Sequence, residues 1–358
     1  MPHPSIEFRP VGAPVTAGAA DAADFRTFVD VHNRVWREIS GTDDHTATPD
    51  EFLPGSRPTD DTDRMMWLVL ADGEPVGRLV LELPLEPGAK SAFAFVELLR
   101  AAWHRGIGSA GLALVERTAH AAGRAAVHTW VEHGHDGDER LAPPTGAGSV
   151  PRDHTARFLL RHGWTLEQVV RVSAFPLPGD RDALEAHLAD ARARASGYRI
   201  VQWDSRVPDE HAAAYARMKA RMVTDAPAGG MAYDEEDWDI DRVRRHEAEH
   251  ADAGQTLLVT VAQHEATGEL CAFNELSIGP DHTRPSHQED TLVLAEHRGH
   301  RLGMLVKAAG LLTWRERFPD SPRVRTYNAE ENRPMLAINE AVGFVPIAYE
   351  GAWKKALR

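Results

Sequence analysis

One arrangement of residues occurs twice in this chain, and it limits the fold more than any other feature. SAFAFVELL (91–99) reads as a buried strand, followed by RAAWHRGIGSAG and the helical stretch LALVERTAHAAG. QEDTLVLAEH (288–297) reads as a second such strand, followed by RGHRLG and the helical stretch MLVKAAGLLTWRERF. Trp103 and Arg298 open the two turns, 195 positions apart. Downstream, FLLRHGW and LAINEAVGF carry Gly163 and Gly343, which stand 180 apart. A Gly/Pro-rich loop at 134–151 absorbs the difference. Two copies of one unit in 358 residues imply an internal duplication, one domain per copy.

The flanking segments repeat as well. Each half opens with a strand and a helix (IEFRPV and FRTFVDVHNRVWREI; YRIVQW and DEHAAAYARMKARMV). Each then has a hairpin, turning at Asp72-Gly73 in the first half and near Thr267-Gly268 in the second. Both halves therefore read β-α-α-β-β-β-α-β-α-β, an α/β fold with a mixed sheet and helices on its faces. The expected division is a first domain over 1–178, a connector over 179–197 containing the Ala-rich helix DRDALEAHLADARARA, and a second domain over 198–358.

Charge and composition remove several function classes. Forty basic against 54 acidic residues give a net charge of −14, which repels nucleic-acid backbones and anionic membranes. A small anionic cofactor needs only a local cationic pocket and stays open. No apolar run approaches the ~18 residues of a membrane span. The first fifteen residues lack a basic and apolar leader pattern, so a cytoplasmic protein is expected. The single cysteine, Cys271, in an apolar strand, reads as a buried inert thiol. No metal is expected.

The sharpest site in the sequence is Arg298-Gly-His-Arg-Leu-Gly303, between a strand and a helix. Small residues there let backbone N–H groups face outward, and the helix N-terminus adds positive partial charge, which suits a diphosphate. Here the chain resembles a family. Val293 to Gly303 resembles the acyl-CoA-binding motif of the GNAT acyltransferase superfamily, V-x-P-x-x-[RQ]-x-x-[GA]-x-[GA]. Asn332-x-x-Met335-x-x-Ile338-Asn339, ending at Gly343-Phe344, resembles that family's N-x-x-A-x-x-L-Y-x-x-x-G-F. The layout is similar to the tandem, mycothiol synthase-like form of the superfamily.

The resemblance implies an N-acetyltransferase that uses acetyl-CoA and a small-molecule amine acceptor, with no nucleic-acid or membrane partner, as a monomer or homodimer. It implies that the backbone of Gly299, His300, Arg301, Leu302, Gly303 and Met304 holds the diphosphate, with Arg298 and Arg301 assisting. Asn328, Asn332 and Met335 complete the cofactor contacts, Asn332 on the pantetheine arm. Leu292, Val293 and Leu294 line the acyl end, where a backbone N–H would polarise the thioester carbonyl. Asp290, then Glu289, then Glu275 are the carboxylates expected to take the amine proton. In a regular strand Asp290 and Glu289 point to opposite faces, so only one would serve. The acidic balance leans toward a cationic acceptor.

The departures matter. Arg301 stands at a usual glycine and is expected to fit with a helical φ. Asn339 stands where the family has the Tyr that protonates the leaving thiolate, and an amide cannot give up that proton. Tyr327 is a replacement, or water. In the first half Trp103 replaces the Arg/Gln, Arg152 falls at the Asn position and Leu159 at the Tyr position. That half is expected to be degenerate, the second catalytic, so crowding Gly108 should leave turnover nearly intact. A catalytically silent CoA-binding or interaction module is the alternative, motivated by the missing Tyr in both halves.

Two literal motifs carry less. Gly106-Ile-Gly108-Ser-Ala-Gly111 matches a dinucleotide-binding pattern, but six residues separate it from its strand. His246-Glu247-Ala-Glu-His250 matches the zincin signature, but Glu249 charges the helix and no third ligand motif follows. It reads as a solvated helix face. His133, His135, Asp136, Asp138 and Glu139 read as a mobile polar loop.

Overall fold

The computed structural model describes residues 4–134 and 139–357. The element order is β1 (Ile6–Val11), α1 (Ala23–Ser40), α2 (Pro49–Phe52), β2 (Thr62–Ala71), β3 (Glu74–Pro84), β4 (Ser91–Leu98), α3 (Ile107–Ala121) and β5 (Ala126–His133). Then come β6 (Arg140–Leu141), β7 (Val150–Pro151), α4 (His154–Arg161), β8 (Thr165–Pro176), α5 (Arg181–Arg194), β9 (Tyr198–Asp204), α6 (Asp209–Asp225) and α7 (Ile240–Asp252). The chain ends with β10 (Thr256–His264), β11 (Leu270–Ile278), β12 (Ser286–Val293), α8 (Leu302–Arg317), β13 (Arg323–Ala329), α9 (Arg333–Val342) and β14 (Val345–Ala356). The repeated β-α-α-β-β-β-α-β-α-β order is observed in full.

The chain divides into two compact units. Unit 1 is Met1–Val169 with Ala228–Asp234 and Tyr349–Arg358; unit 2 is Val170–Pro227 with Glu235–Ala348. The strands that end the two halves are exchanged. In unit 1, β5 pairs antiparallel with Tyr349–Ala356 of β14. In unit 2, β13 pairs antiparallel with Val170–Pro176 of β8. The helix read as a connector, α5, lies in unit 2, where Leu184 and Ala191 are buried in a core with Trp314 and Phe344.

Within each unit the strands carry apolar residues on both faces, because helices cover both. In unit 1, Val69, Leu79 and Leu81 pack with Ile107, Val115 and Leu159 of α3 and α4. Their neighbours Met66, Leu68 and Leu70 pack on the opposite face with Phe25, Phe28 and Val35 of α1. Unit 2 repeats this: Leu258, Ala272 and Leu276 face Leu305, Val306 and Leu311 of α8. Leu257, Val259 and Phe273 face Tyr215 of α6 and Val243 of α7. The hairpin turn at Asp72-Gly73 has φ of 54° and 87°, the two left-handed residues that a tight two-residue hairpin requires.

Candidate functional site

The first-copy turn is built by two strands that part. β4 and β5 pair in parallel only from Ser91 to Phe93, against Ala126 to His128, and separate beyond. On its other side β4 stays on β3, with Leu99 N–H donating to Val76 O at 3.0 Å and Leu98 opposite Gly77. Antiparallel pairing alternates, so the N–H and C=O of Leu98 face away from β3, into the gap. Gly77 allows this close approach: a Cβ there would lie 2.5 Å from Glu97 O. Trp103 Nε1 donates to Leu98 O at 3.1 Å and pins the turn. His104 (φ 60°) and Gly106 (φ 80°) are left-handed, and α3 starts at Ile107 with no side-chain cap. The N–H groups of Ile107, Gly108 and Ser109 therefore lack intrahelical acceptors and carry the positive end of the helix dipole.

A cavity of about 550 Å³ opens beside that turn. Leu98, Trp103, Gly106, Gly108, Phe158 and Glu132 are among its lining residues. Glu132 Oε2 is 3.6 Å from His45 Nε2, and the His45 ring stacks on Trp36 at 4.0 Å. Glu97 is tied elsewhere: Arg78 grips it with bonds of 2.6 and 2.8 Å. Burial alone would raise the Glu97 carboxyl, but the charges of Arg78 and His32 override it and hold it well below the usual carboxylate range. The His154 ring stacks on Trp103 at 4.2 Å, and Ser109 Oγ lies 2.9 Å from His162 Nε2. Sequence reading missed His45 and Trp36 as site residues and singled out Glu132 only as the acidic residue 21 positions after Gly111 in the dinucleotide-like pattern, because strand end, loop and helix meet only in the fold.

The second-copy turn repeats this geometry residue for residue. β12 and β13 pair only at Ser286–His287 with Val324–Arg325, then part. Leu294 N–H donates to Cys271 O at 3.0 Å, so Leu294 is bound into the β11 ladder, and by alternation so is Leu292. This corrects the expectation for those two amides: only Val293 presents its N–H to the gap. Arg298 Nε donates to Val293 O at 3.2 Å, the counterpart of Trp103 on Leu98. Arg298 also reaches Asp225 at 3.5 Å, and Arg301 pairs with Asp190 at 2.5 Å. Gly299 (φ 92°) and Arg301 (φ 60°) are both left-handed, so Arg301 is not in the expected helical conformation. A non-glycine residue there costs on the order of 1–2 kcal/mol. Leu302, Gly303 and Met304 open α8 without a side-chain cap, and the His300 ring lies 5.4 Å from that of Tyr198.

The three expected carboxylates do come together. The β11–β12 register shifts between Asn274 and Leu276, which sets Glu289 and Asp290 both opposite Glu275. That bulge corrects the opposite-face expectation: Glu289 accepts from Ser277 Oγ at 2.5 Å, and Asp290 reaches Lys219, which also bonds Glu275 at 3.2 Å. Tyr215 donates to Glu275. Burial, and then the charges of Asp290 and Glu289, push Glu275 well above the usual carboxylate range. Lys219, absent from the sequence reading, is buried against Glu275 and Asp290.

Asn339 is buried, donates to Asn328 Oδ1 at 2.7 Å and accepts from Lys307 Nζ at 2.5 Å. Lys307 is fully buried, and burial lowers it to about 7. A lysine inside the apolar run MLVKAAGLL was the available signal. Asn332 caps α9 by accepting from Met335 N–H, which leaves its amide N–H₂ for other contacts. Tyr327 lies on β13 with the Arg325 guanidinium 5.7 Å from its ring.

Comparison with solved structures finds the same architecture elsewhere. A tandem GNAT protein from the clavulanic acid biosynthesis pathway, solved without acetyl-CoA, matches with a TM-score of 0.74 at 25% identity, covering 99% of both chains. The chain has the tandem GNAT fold. A GCN5-related N-acetyltransferase from Sphaerobacter thermophilus matches this tandem GNAT chain with a TM-score of 0.63 at 15% identity, over 99% of this chain and 96% of that one. A GCN5-related glucosamine N-acetyltransferase region of a fungal multi-domain GH3 beta-N-acetylglucosaminidase matches at 0.62 and 12% identity, over 98% of this chain and 38% of that one. No protein-family model and no curated protein sequence matches. The fold is one that supports acyl-CoA-dependent acetyl transfer.

The remaining motifs have structural explanations in the tandem GNAT framework. Glu247 of the HEAEH segment is buried, accepting from Val207 N–H at 2.7 Å and from Arg244 at 2.8 Å, so it anchors α7 rather than lying on a solvated face. His246 and His250 meet at 3.3 Å, and burial, with Lys219 nearby, lowers His246 to about 2. Gly106, Gly108 and Gly111 of the dinucleotide-like pattern belong to the α3 turn; a Cβ on Gly111 would lie 3.1 Å from Leu79. His133 bonds Asp153 at 3.0 Å, while His135, Asp136 and Asp138 lie outside the described residues. No helix among the described residues is long and apolar enough to cross a membrane.

Proposed function

We propose that this tandem GNAT protein moves an acetyl group from acetyl-CoA to the primary amine of a small molecule within a ternary complex. The cavity of about 550 Å³ between the parting strands of unit 1, beside an uncapped helix N-terminus, carries this reading. The residues suit the cosubstrate. The free N–H groups at the start of α3 match a diphosphate, and a Cβ at Gly106 would meet nothing within 4 Å, so the turn is open. The Leu98 N–H, fixed toward the gap, would polarise the thioester carbonyl. Glu132, backed by His45, would take the proton of the attacking amine, directly or through water. The amine nitrogen bonds to the acetyl carbon, the carbon–sulfur bond breaks, and the thiolate takes a proton from water.

A specific observation favours a second site of the same kind. Unit 2 has the same turn, with Val293 in the place of Leu98, and sets Glu275 and Asp290 on Lys219 with Glu289 held by Ser277. In that reading Gly299–Met304 hold the diphosphate, Asn328, Asn332 and Met335 the arm, and Asp290 or Glu289 serves the amine. In that reading Tyr327, or water, would protonate the thiolate, with Asn339 at the position of the missing Tyr.

The test is thiol release from acetyl-CoA over a panel of cationic and neutral primary amines. Amine-stimulated release supports the transferase. Calorimetric binding of CoA with no amine stimulating release would leave the silent binding module.

A further inference from the structure

Glu269 and Cys271 stand two residues apart and His297 lies 26 residues further on, and unit 2 gathers one ligand atom of each within 4.8 Å of the others. Cys271 is the second residue of β11, with Glu269 just before that strand. His297 ends the single 3₁₀ turn Ala295–His297 that leads into Arg298. His297 Nε2 lies 3.4 Å from Glu269 Oε2. Its other nitrogen, Nδ1, lies 2.9 Å from the Tyr198 hydroxyl, which fixes the ring orientation in the way that outer-shell partners orient metal-bound histidines. The Cys271 sulfur is buried, and the Glu269 side chain is about half exposed, so the group has a dry soft donor at its base and a hydrated carboxylate at its mouth.

We propose that Cys271, His297 and Glu269 form a binding site for a divalent cation of the zinc class, with a fourth position open to water. A thiolate, an imidazole and a carboxylate make a borderline-soft set that prefers zinc to magnesium or calcium. Tetrahedral zinc at its usual bond lengths sets its N, O and S ligand atoms about 3.3 to 3.6 Å apart. The Glu269–His297 pair already has that spacing, and a side-chain movement of about 1 Å closes the sulfur onto it. The ion would tie the start of β11 to the turn immediately before Arg298. Binding must release the thiol proton, because only the thiolate ligates.

The full chain contains one cysteine, so any thiolate signature belongs to Cys271. Cobalt(II) titrated into metal-stripped protein at pH 8 should bind stoichiometrically and produce a near-ultraviolet sulfur-to-cobalt charge-transfer band. Cys271→Ser should abolish that band. His297→Gln and Glu269→Gln, at less buried positions, should weaken binding at least tenfold, and Tyr198→Phe about tenfold. Absence of a thiolate band in the wild type overturns the site, even if cobalt binds elsewhere, for example at His246 and His250. So does a band of unchanged affinity in His297→Gln.

Discussion

Trp103 donates its indole N–H to the carbonyl of Leu98 at 3.1 Å, five residues back, and Arg298 does the same to Val293 in the second copy at 3.2 Å. The two side chains have little in common except an N–H on a planar group at the right reach. The Trp at 103 is therefore a different solution to one task, stapling the turn so that its amides face outward. Read as a lost motif residue, it suggests degeneracy; seen in place, it preserves the geometry.

Trp103→Phe keeps the ring but removes the donor, leaving Leu98 O without its staple. We expect a loss of about 1 kcal/mol in denaturant unfolding and weaker acetyl-CoA binding. Trp103→Arg, which installs the second copy's staple, should restore most of the binding, as measured by calorimetry.

Arg301 holds φ 60° at the position where the first copy has Gly106 at φ 80°. Arg301→Gly should be tolerated within about 1 kcal/mol, because relief of backbone strain offsets the lost exposed pair with Asp190. Arg301→Val should cost clearly more, since a branched side chain fits the left-handed region poorly. Denaturant midpoints of the two variants give the comparison.

Lys219 neutralises Glu275 and Asp290 at close range. Lys219→Met should lose about 3–5 kcal/mol at pH 8, the cost of uncompensated buried charge. Glu275 sits above the usual carboxylate range, so the folded state binds its proton more readily than the unfolded chain. Stability from this group is thus present at low pH and declines as pH rises above 4.5. The deficit of Lys219→Met should shrink as pH falls toward 5, which unfolding curves across pH will show.

Lys307 has the opposite sign. Burial lowers it from 10.5 to about 7, so between those values the unfolded chain binds the extra proton. Protonation of the unfolded chain opposes folding most at neutral pH and less as pH rises, so this group contributes stability that increases from pH 7 to about 10. Lys307→Met should flatten that rise in thermal unfolding profiles.

The duplication, the element order and the two turns were legible because each rests on local periodicity and small-residue spacing. Glu289 and Asp290 were legible from their place eight or nine residues before Arg298, and Glu275 from its place on the neighbouring hairpin strand. What the strand pattern hid was a bulge, which turned Glu289 and Asp290 to one side, and a left-handed Arg301. Lys219, Glu132, His45 and the Cys271 group were not legible, since each depends on elements distant in sequence meeting in space. The exchange of β8 and β14 was hidden too: an apolar strand does not name its partner.

If the α3 turn of unit 1 holds the diphosphate of acetyl-CoA, a carboxylate placed in that turn must expel it, and the same change in the α8 turn of unit 2 is the control. Gly108→Glu and Gly303→Glu each place a carboxylate in the first turn of a helix, where charge favours the helix itself but fills the anion site. A Cβ at Gly108 lies 3.1 Å from Phe158, a contact the ring can yield to. Acetyl-CoA titrated calorimetrically into both folded variants should lose binding in Gly108→Glu, with turnover lost alongside. Full binding and turnover in Gly108→Glu, with both lost in Gly303→Glu, would overturn the unit 1 assignment and move the site to unit 2.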